Sequence, residues 1–114
     1  MYTYRGKVKR VIDGDTIVVD IDLGFHTTLV DTHIRVANID TPECRTKNLA
    51  EKEHGLQAKK YVEGVLGVGT TVTLHTYKDK SGKFGRWLAD VETEMGLDLR
   101  ELLVERGFEK KEIY

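Results

Sequence analysis

The chain holds one cysteine and one proline, and it has no basic excess. Its 18 lysines and arginines stand against 19 aspartates and glutamates, for a net charge of −1. A lone Cys44 excludes an internal disulfide and a thiolate metal cage. Cys44 follows Glu43 directly, but nothing local supplies the base that a cysteine nucleophile needs, so a structural role is expected. The balanced charge excludes a global cationic surface, and a polyanion binder of this composition must cluster its cations locally. No run approaches the roughly 20 apolar residues of a membrane span, so no membrane partner is expected. Residues 1–7 have no apolar core and form no secretory signal. The protein is therefore expected to be cytoplasmic if the chain is complete, and secreted if a signal peptide has been removed. His26, His33, His54 and His75 contain no i, i+4 pair, which speaks against a histidine metal site, and no EF-hand spacing occurs. Internal repeats, low-complexity segments, linkers and oligomerisation signals are also missing, so a monomer is expected.

At 114 residues the sequence suits a single domain spanning 1–114. Its 39% apolar and 32% charged content is ordinary for a globular protein. Residues 3–12 and 15–22 are β-branched and alternating, and Asp13-Gly14 between them is a strong hairpin signal, with glycine expected to supply a positive φ. Gly24 makes a second break. Residues 26–30 and 33–39 read as a strand or bent strand pair kinked at Asp31-Thr32, and Pro42 stops the pairing because it offers no N–H. Over residues 49–66 the period changes. Ala58, Tyr61, Val62, Val65 and Leu66 fall on one helical face, with Lys59, Lys60 and Glu63 outside. Residues 70–77 and 86–93 read as strands around a polar hairpin loop. Asp98 caps a last helix with Glu101 three residues on, Leu99, Leu102 and Leu103 form its apolar face, and Gly107 ends it. Three strands, a helix, two strands and a helix are the layout of a five-stranded OB barrel of the α+β kind.

The chemistry concentrates in residues 35–43, where one guanidinium, two carboxylates and a threonine surround a strand end. Asp13 reads first as a turn residue. For Asp15 and Asp40 the residues alone leave two readings open, solvated strand-end charge or a hard-oxygen site suited to calcium or magnesium. Arg35 and Arg86 are either rim residues or bidentate phosphate ligands that would stabilise charge developing on a phosphoryl group. Glu43 is either a general base for water or a loop residue ordering its neighbours. By alternation Trp87 faces away from Arg86 and is expected in the core.

Asp13-Gly14-Asp15-Thr16, then Arg35 and Asp40-Thr41-Pro42-Glu43, then Lys83-Phe84-Gly85-Arg86, then Leu102-Leu103-Val104-Glu105-Arg106-Gly107 occur in one order along the chain. Together they resemble the staphylococcal nuclease (thermonuclease) family, from about residue 5 to residue 110. The resemblance implies an OB-fold barrel with helices that hydrolyses DNA and RNA with Ca2+. It implies that Asp15 and Asp40 bind the metal through carboxylates and Thr41 through its carbonyl. Arg35 and Arg86 would hold the scissile phosphate, and Glu43 would act as general base or position the attacking water. The implied reaction is in-line attack by water, leaving 3′-phosphate and 5′-hydroxyl ends. Lys83 corresponds to a residue that contacts a nucleotide phosphate. Phe84 stands where the best-known member has tyrosine, so a hydroxyl contact is lost while stacking is retained. Tyr114 would cover the nucleotide base. The segment between Val19 and Arg35 is longer than in that member, and the sequence ends ahead of the family's last helix.

Residues 35 and 40 have opposite parity and would face opposite sides of a regular strand. One shared site therefore requires a bulge, bend or strand end within residues 36–39. Two functions compete: a calcium-dependent nuclease, and a catalytically silent OB module that binds single strands by stacking and charge. Carboxylates in an anion site favour the nuclease, because without a metal they repel phosphate.

Overall fold

The computed structural model describes residues 2–81 and 86–114, with no side-chain account for residues 78–81. The strands β1 (Tyr2–Asp13), β2 (Thr16–Gly24), β3 (Thr27–Val36), β4 (Thr71–Ser81) and β5 (Trp87–Glu92) close a barrel in the order β1-β2-β3-β5-β4. Helix α1 (Leu49–Val65) crosses between β3 and β4, and α2 (Leu99–Glu105) follows β5. The β3–β5 pair is parallel, joined at Ile34↔Trp87 through Val36↔Ala89, and the other pairs are antiparallel. This is the OB architecture expected from the element order.

Alternation explains the core. Val8 and Val11 from β1, Ile17, Val19 and Ile21 from β2, Ile34 and Val36 from β3, Val72 and Leu74 from β4, and Ala89 and Val91 from β5 all turn inward and are buried. Val62 of α1, Leu66 at its C-cap, and Leu99 and Leu103 of α2 pack into the same core. Asn48 caps α1, its Oδ1 accepting from the N–H groups of Ala50 and Glu51 at 3.1 and 3.2 Å. Asp98 caps α2 by accepting from the Arg100 N–H at 2.9 Å. Gly107, at φ 75°, ends α2 in a Schellman motif, with Gly107 N–H donating to Val104 O and Phe108 N–H to Leu103 O.

Three local expectations change. Gly14 and Asp15 are the two turn residues between the paired Asp13 and Thr16, so Asp15 belongs to the turn rather than to the strand. Gly14 is not at positive φ. A Cβ there would lie 3.0 Å from the Ala58 Cβ and 3.1 Å from Thr41 Oγ1, so its smallness serves close approach. Trp87 shares parity with Ala89 and Val91, but it opens β5 at the rim of the barrel. It is 46% exposed and lines an apolar groove with Tyr2, Tyr4, Leu23 and Leu29. The kink at Asp31 is a bulge within one continuous strand. Asp31 adopts φ 51°, and its N–H donates to Asp20 Oδ1 at 2.9 Å.

The long β2–β3 hairpin turns through Phe25 and His26, at φ 53° and 59°, where a primed turn wants asparagine and glycine. Phe25 is fully exposed, so its ring offsets none of this strain by packing. Replacing Phe25-His26 by Asn-Gly is expected to stabilise the fold by about 1 kcal/mol. Urea unfolding checks this, and an unchanged midpoint would show that the turn is unstrained.

Candidate active site

The strand β3 ends where the site begins. Val36 N–H donates to Asp15 O at 2.8 Å and Ala37 N–H to Ala89 O at 2.9 Å, and the chain then turns through Asn38 at φ 62°. This is the irregularity that the opposite parity of residues 35 and 40 requires. Strand pairing stops at Val36 rather than continuing to residue 39. The Arg35 guanidinium fills the turn. Its Nη1 donates to Val36 O at 2.7 Å and Ile39 O at 2.6 Å. Its Nη2 donates to Asp40 Oδ1 at 3.0 Å and lies 3.4 Å from Asp15 Oδ2. Two carboxylates from separate elements therefore converge on one cationic nitrogen.

Asp15 is buried and held by its surroundings. Its Oδ1 accepts from Thr16 Oγ1 at 3.0 Å and its Oδ2 from the Thr41 N–H at 2.9 Å. Asp40 is exposed. Arg35, Asp40 and Arg86 line one open cavity of about 610 Å3, together with Glu109 and Lys110. A cavity of about 700 Å3 beside Arg5 and Phe25 is larger but gathers no candidate site residue. Leu88 of β5 also lines the smaller cavity.

Glu43 is exposed and does not line the cavity, but its backbone is tightly held. Its N–H donates to Glu51 Oε2 at 3.0 Å. The same oxygen lies 3.2 Å from Lys110 Nζ, and the Lys110 N–H donates to Asp40 O at 2.7 Å. The Glu43 N–H and the Lys110 ammonium hold the Glu51 carboxyl below its usual value of 4.5. A depressed carboxyl pKa contributes stability above that value, and the contribution is lost as pH falls through the lowered one. Gly55 abuts the loop on its other side, since a Cβ there would lie 2.5 Å from Glu43 O and 2.8 Å from Pro42 O. Sequence reasoning passed over Glu51, Gly55 and Lys110. The signal was present: Glu51 and Gly55 continue the buried stripe of Ala58 and Val62 with residues that no core calls for.

Tyr114 stands against α1. Its hydroxyl lies 2.8 Å from His54 Nδ1 and accepts from the Lys111 N–H at 3.1 Å, and it is not among the cavity's lining residues. Lys83 and Phe84 lie outside the described residues. Asp13 Oδ1 accepts from the Cys44 N–H at 3.2 Å, which ties the hairpin to the loop.

The donor set is chemically consistent with a hard cation. Asp15 and Asp40 already face a common positive charge, and both offer hard oxygen. Thr41 Oγ1 is a buried polar atom with no hydrogen-bond partner. Among the described residues, no group of three or more histidine, cysteine, aspartate or glutamate side chains could by itself hold a metal. Further ligands would have to be carbonyls, water or substrate oxygens.

Two predictions test this architecture. Gly55→Ala is expected to lower stability by on the order of 1 kcal/mol, because crowding the backbone of residues 42–43 outweighs alanine's roughly 1 kcal/mol helical advantage; thermal unfolding measures it. Burial and the Asp13 carboxylate push the Cys44 thiol up to about 12, so its alkylation by iodoacetamide at pH 8 is expected to be roughly a thousandfold slower in the native chain than in urea. Equal rates would show the thiol to be accessible and unperturbed.

A family model described as staphylococcal nuclease homologue matches residues 33–114. Endonuclease YhcR of Bacillus subtilis (strain 168) is 34% identical over 110 residues, which cover 92% of this chain and 9% of that protein. A thermonuclease of Staphylococcus hyicus is 34% identical over 109 residues, covering 95% of this chain and 59% of that protein. A thermonuclease of Staphylococcus intermedius is 36% identical over 84 residues, covering 74% and 46%. The chain thus spans less than two thirds of the length of each relative.

Proposed function

The chain belongs to the staphylococcal nuclease family, and from that premise we propose that it is a calcium-dependent nuclease. In this reading it hydrolyses phosphodiester bonds of DNA and RNA, leaving 3′-phosphate and 5′-hydroxyl ends. The observation that carries the reading is the convergence of Asp15 and Asp40 on Arg35, beside a cavity that Asp40 and Arg35 share with Arg86.

Carboxylates in a site built for phosphate are unfavourable unless a cation stands between them and the anion. Asp15 and Asp40, with the Thr41 carbonyl, are the groups that would hold Ca2+. When bound, the ion would supply Lewis-acid polarisation of the phosphoryl oxygen. Arg35 and Arg86 line the same cavity, where their guanidinium groups would hold the phosphate and stabilise the added charge of the transition state. Were Asp40 to turn to the ion, two backbone carbonyls would still orient Arg35. Glu43, exposed on a rigid backbone, is free to take a proton from water or to orient that water. Lys83, Phe84 and Tyr114 are the proposed contacts to the flanking phosphate and base.

The experiment is digestion of plasmid DNA and of RNA with Ca2+ and then with excess EDTA, with end-group analysis of the products. Cleavage that EDTA stops and that leaves 3′-phosphates is expected. Arg86→Ala is expected to lower kcat/KM by a factor on the order of 1,000 or more while leaving the fold intact, as circular dichroism would check. Binding of single strands with no cleavage at any calcium concentration would sink the nuclease reading in favour of a silent OB module.

A further inference from the structure

Glu51 is a charged residue in the wrong place for a helix core. It is 8% exposed and sits on the stripe that continues through Gly55, Ala58 and Val62. A buried carboxylate is retained only where its lone pairs are used, and here one oxygen accepts both the Glu43 N–H and the Lys110 ammonium. Lys110 in turn uses its own N–H to hold Asp40 O. Each residue of the loop is thereby tied from outside. Asp40 is held by Lys110, Thr41 by Asp15 Oδ2, and the carbonyls of Pro42 and Glu43 abut Gly55. The side chains of Asp40 and Glu43 are left exposed, so what is held is the backbone that aims them.

We propose that Glu51 is a positioning residue for Glu43, and that Lys110 fixes Glu51, so that the segment after α2 controls the aim of the reacting side chain. This rests on the nuclease reading above. Glu51 is not among the residues that line the cavity; it acts through the Glu43 amide. A side chain whose supporting contact is lost keeps its chemistry but spends less time in the productive geometry, so the loss falls on kcat more than on KM.

The test compares Glu51→Ala, Glu51→Gln and Lys110→Met in the full chain, each alone and in a Glu43→Gln background. Calcium-dependent cleavage is measured alongside amide hydrogen exchange. Glu51→Ala is expected to lower kcat by about tenfold or more with little change in KM. Glu51→Gln restores an acceptor for the Glu43 N–H and should recover most of the rate, with Lys110→Met falling between. In the Glu43→Gln background the further loss from Glu51→Ala should vanish. Equal losses in both backgrounds, or a loss carried by KM, would overturn the proposal. If Glu51→Ala fails to fold, the Lys110→Met cycle decides it in the same way, with Glu51→Gln as the conservative control. If the wild-type chain cleaves nothing, the nuclease reading fails, and exchange at the Glu43 amide then decides the positioning claim. Exchange faster by about tenfold or more in Lys110→Met supports the clamp, and unchanged exchange removes it.

Discussion

The guanidinium of Arg35 is the interaction on which the rest of the site depends. It closes a turn on Val36 O and Ile39 O, and it draws Asp15 and Asp40 to one nitrogen. Only arginine has enough donors in one plane to do both. The turn solves a geometric problem, because residues 35 and 40 would diverge along a continuous strand. By leaving the sheet at Val36 and passing through Asn38 at φ 62°, the chain brings Asp40 to the side on which Arg35 lies. Left-handed asparagine is tolerated because its short polar side chain carries a smaller penalty there than a bulky one would.

A near-neutral protein can hold this many charges because they are paired locally. Asp15, nearly buried, has its oxygens committed to Thr16, the Thr41 N–H and Arg35. Removing one member of such a set leaves a buried group unpaired, which is costlier than the set's net contribution to stability. The hairpin turn, the 40–43 loop and α1 form a stack held together by small residues. Gly14 admits Ala58 and Thr41, and Gly55 admits the backbone of Pro42 and Glu43. Either glycine enlarged by one methyl would push the loop away from the carboxylate it shares with the turn.

Much of this was legible in the residues. The period-2 runs, the cap at Asp98, the stop at Gly107 and the helix over residues 49–66 all follow from local preferences, and local preferences are what a short window of sequence encodes. The expectations that failed depended on neighbours outside the window. The Asp-Gly pair predicts a positive φ at Gly14, but what Gly14 accommodates is Ala58 and Thr41, far away in the chain. Trp87 has the parity of a core residue, yet the barrel opens before reaching it. Glu51 and Gly55 look like ordinary helix residues until the 42–43 backbone is seen against them.

The sequence by itself determined the elements, their order, the barrel they close, and the family to which the chain belongs, because periodicity, caps and motif spacing are properties of the chain taken one segment at a time. Only the tertiary structure decided which charges meet. The meeting of Asp15 with Asp40 through Arg35, the sharing of one cavity by Arg35 and Arg86, and the hold of Glu51 and Lys110 on the 40–43 loop join segments as far apart in the chain as Asp40 and Lys110. Such contacts depend on strand register, on where pairing stops and on how closely a helix can approach, and no single segment records those.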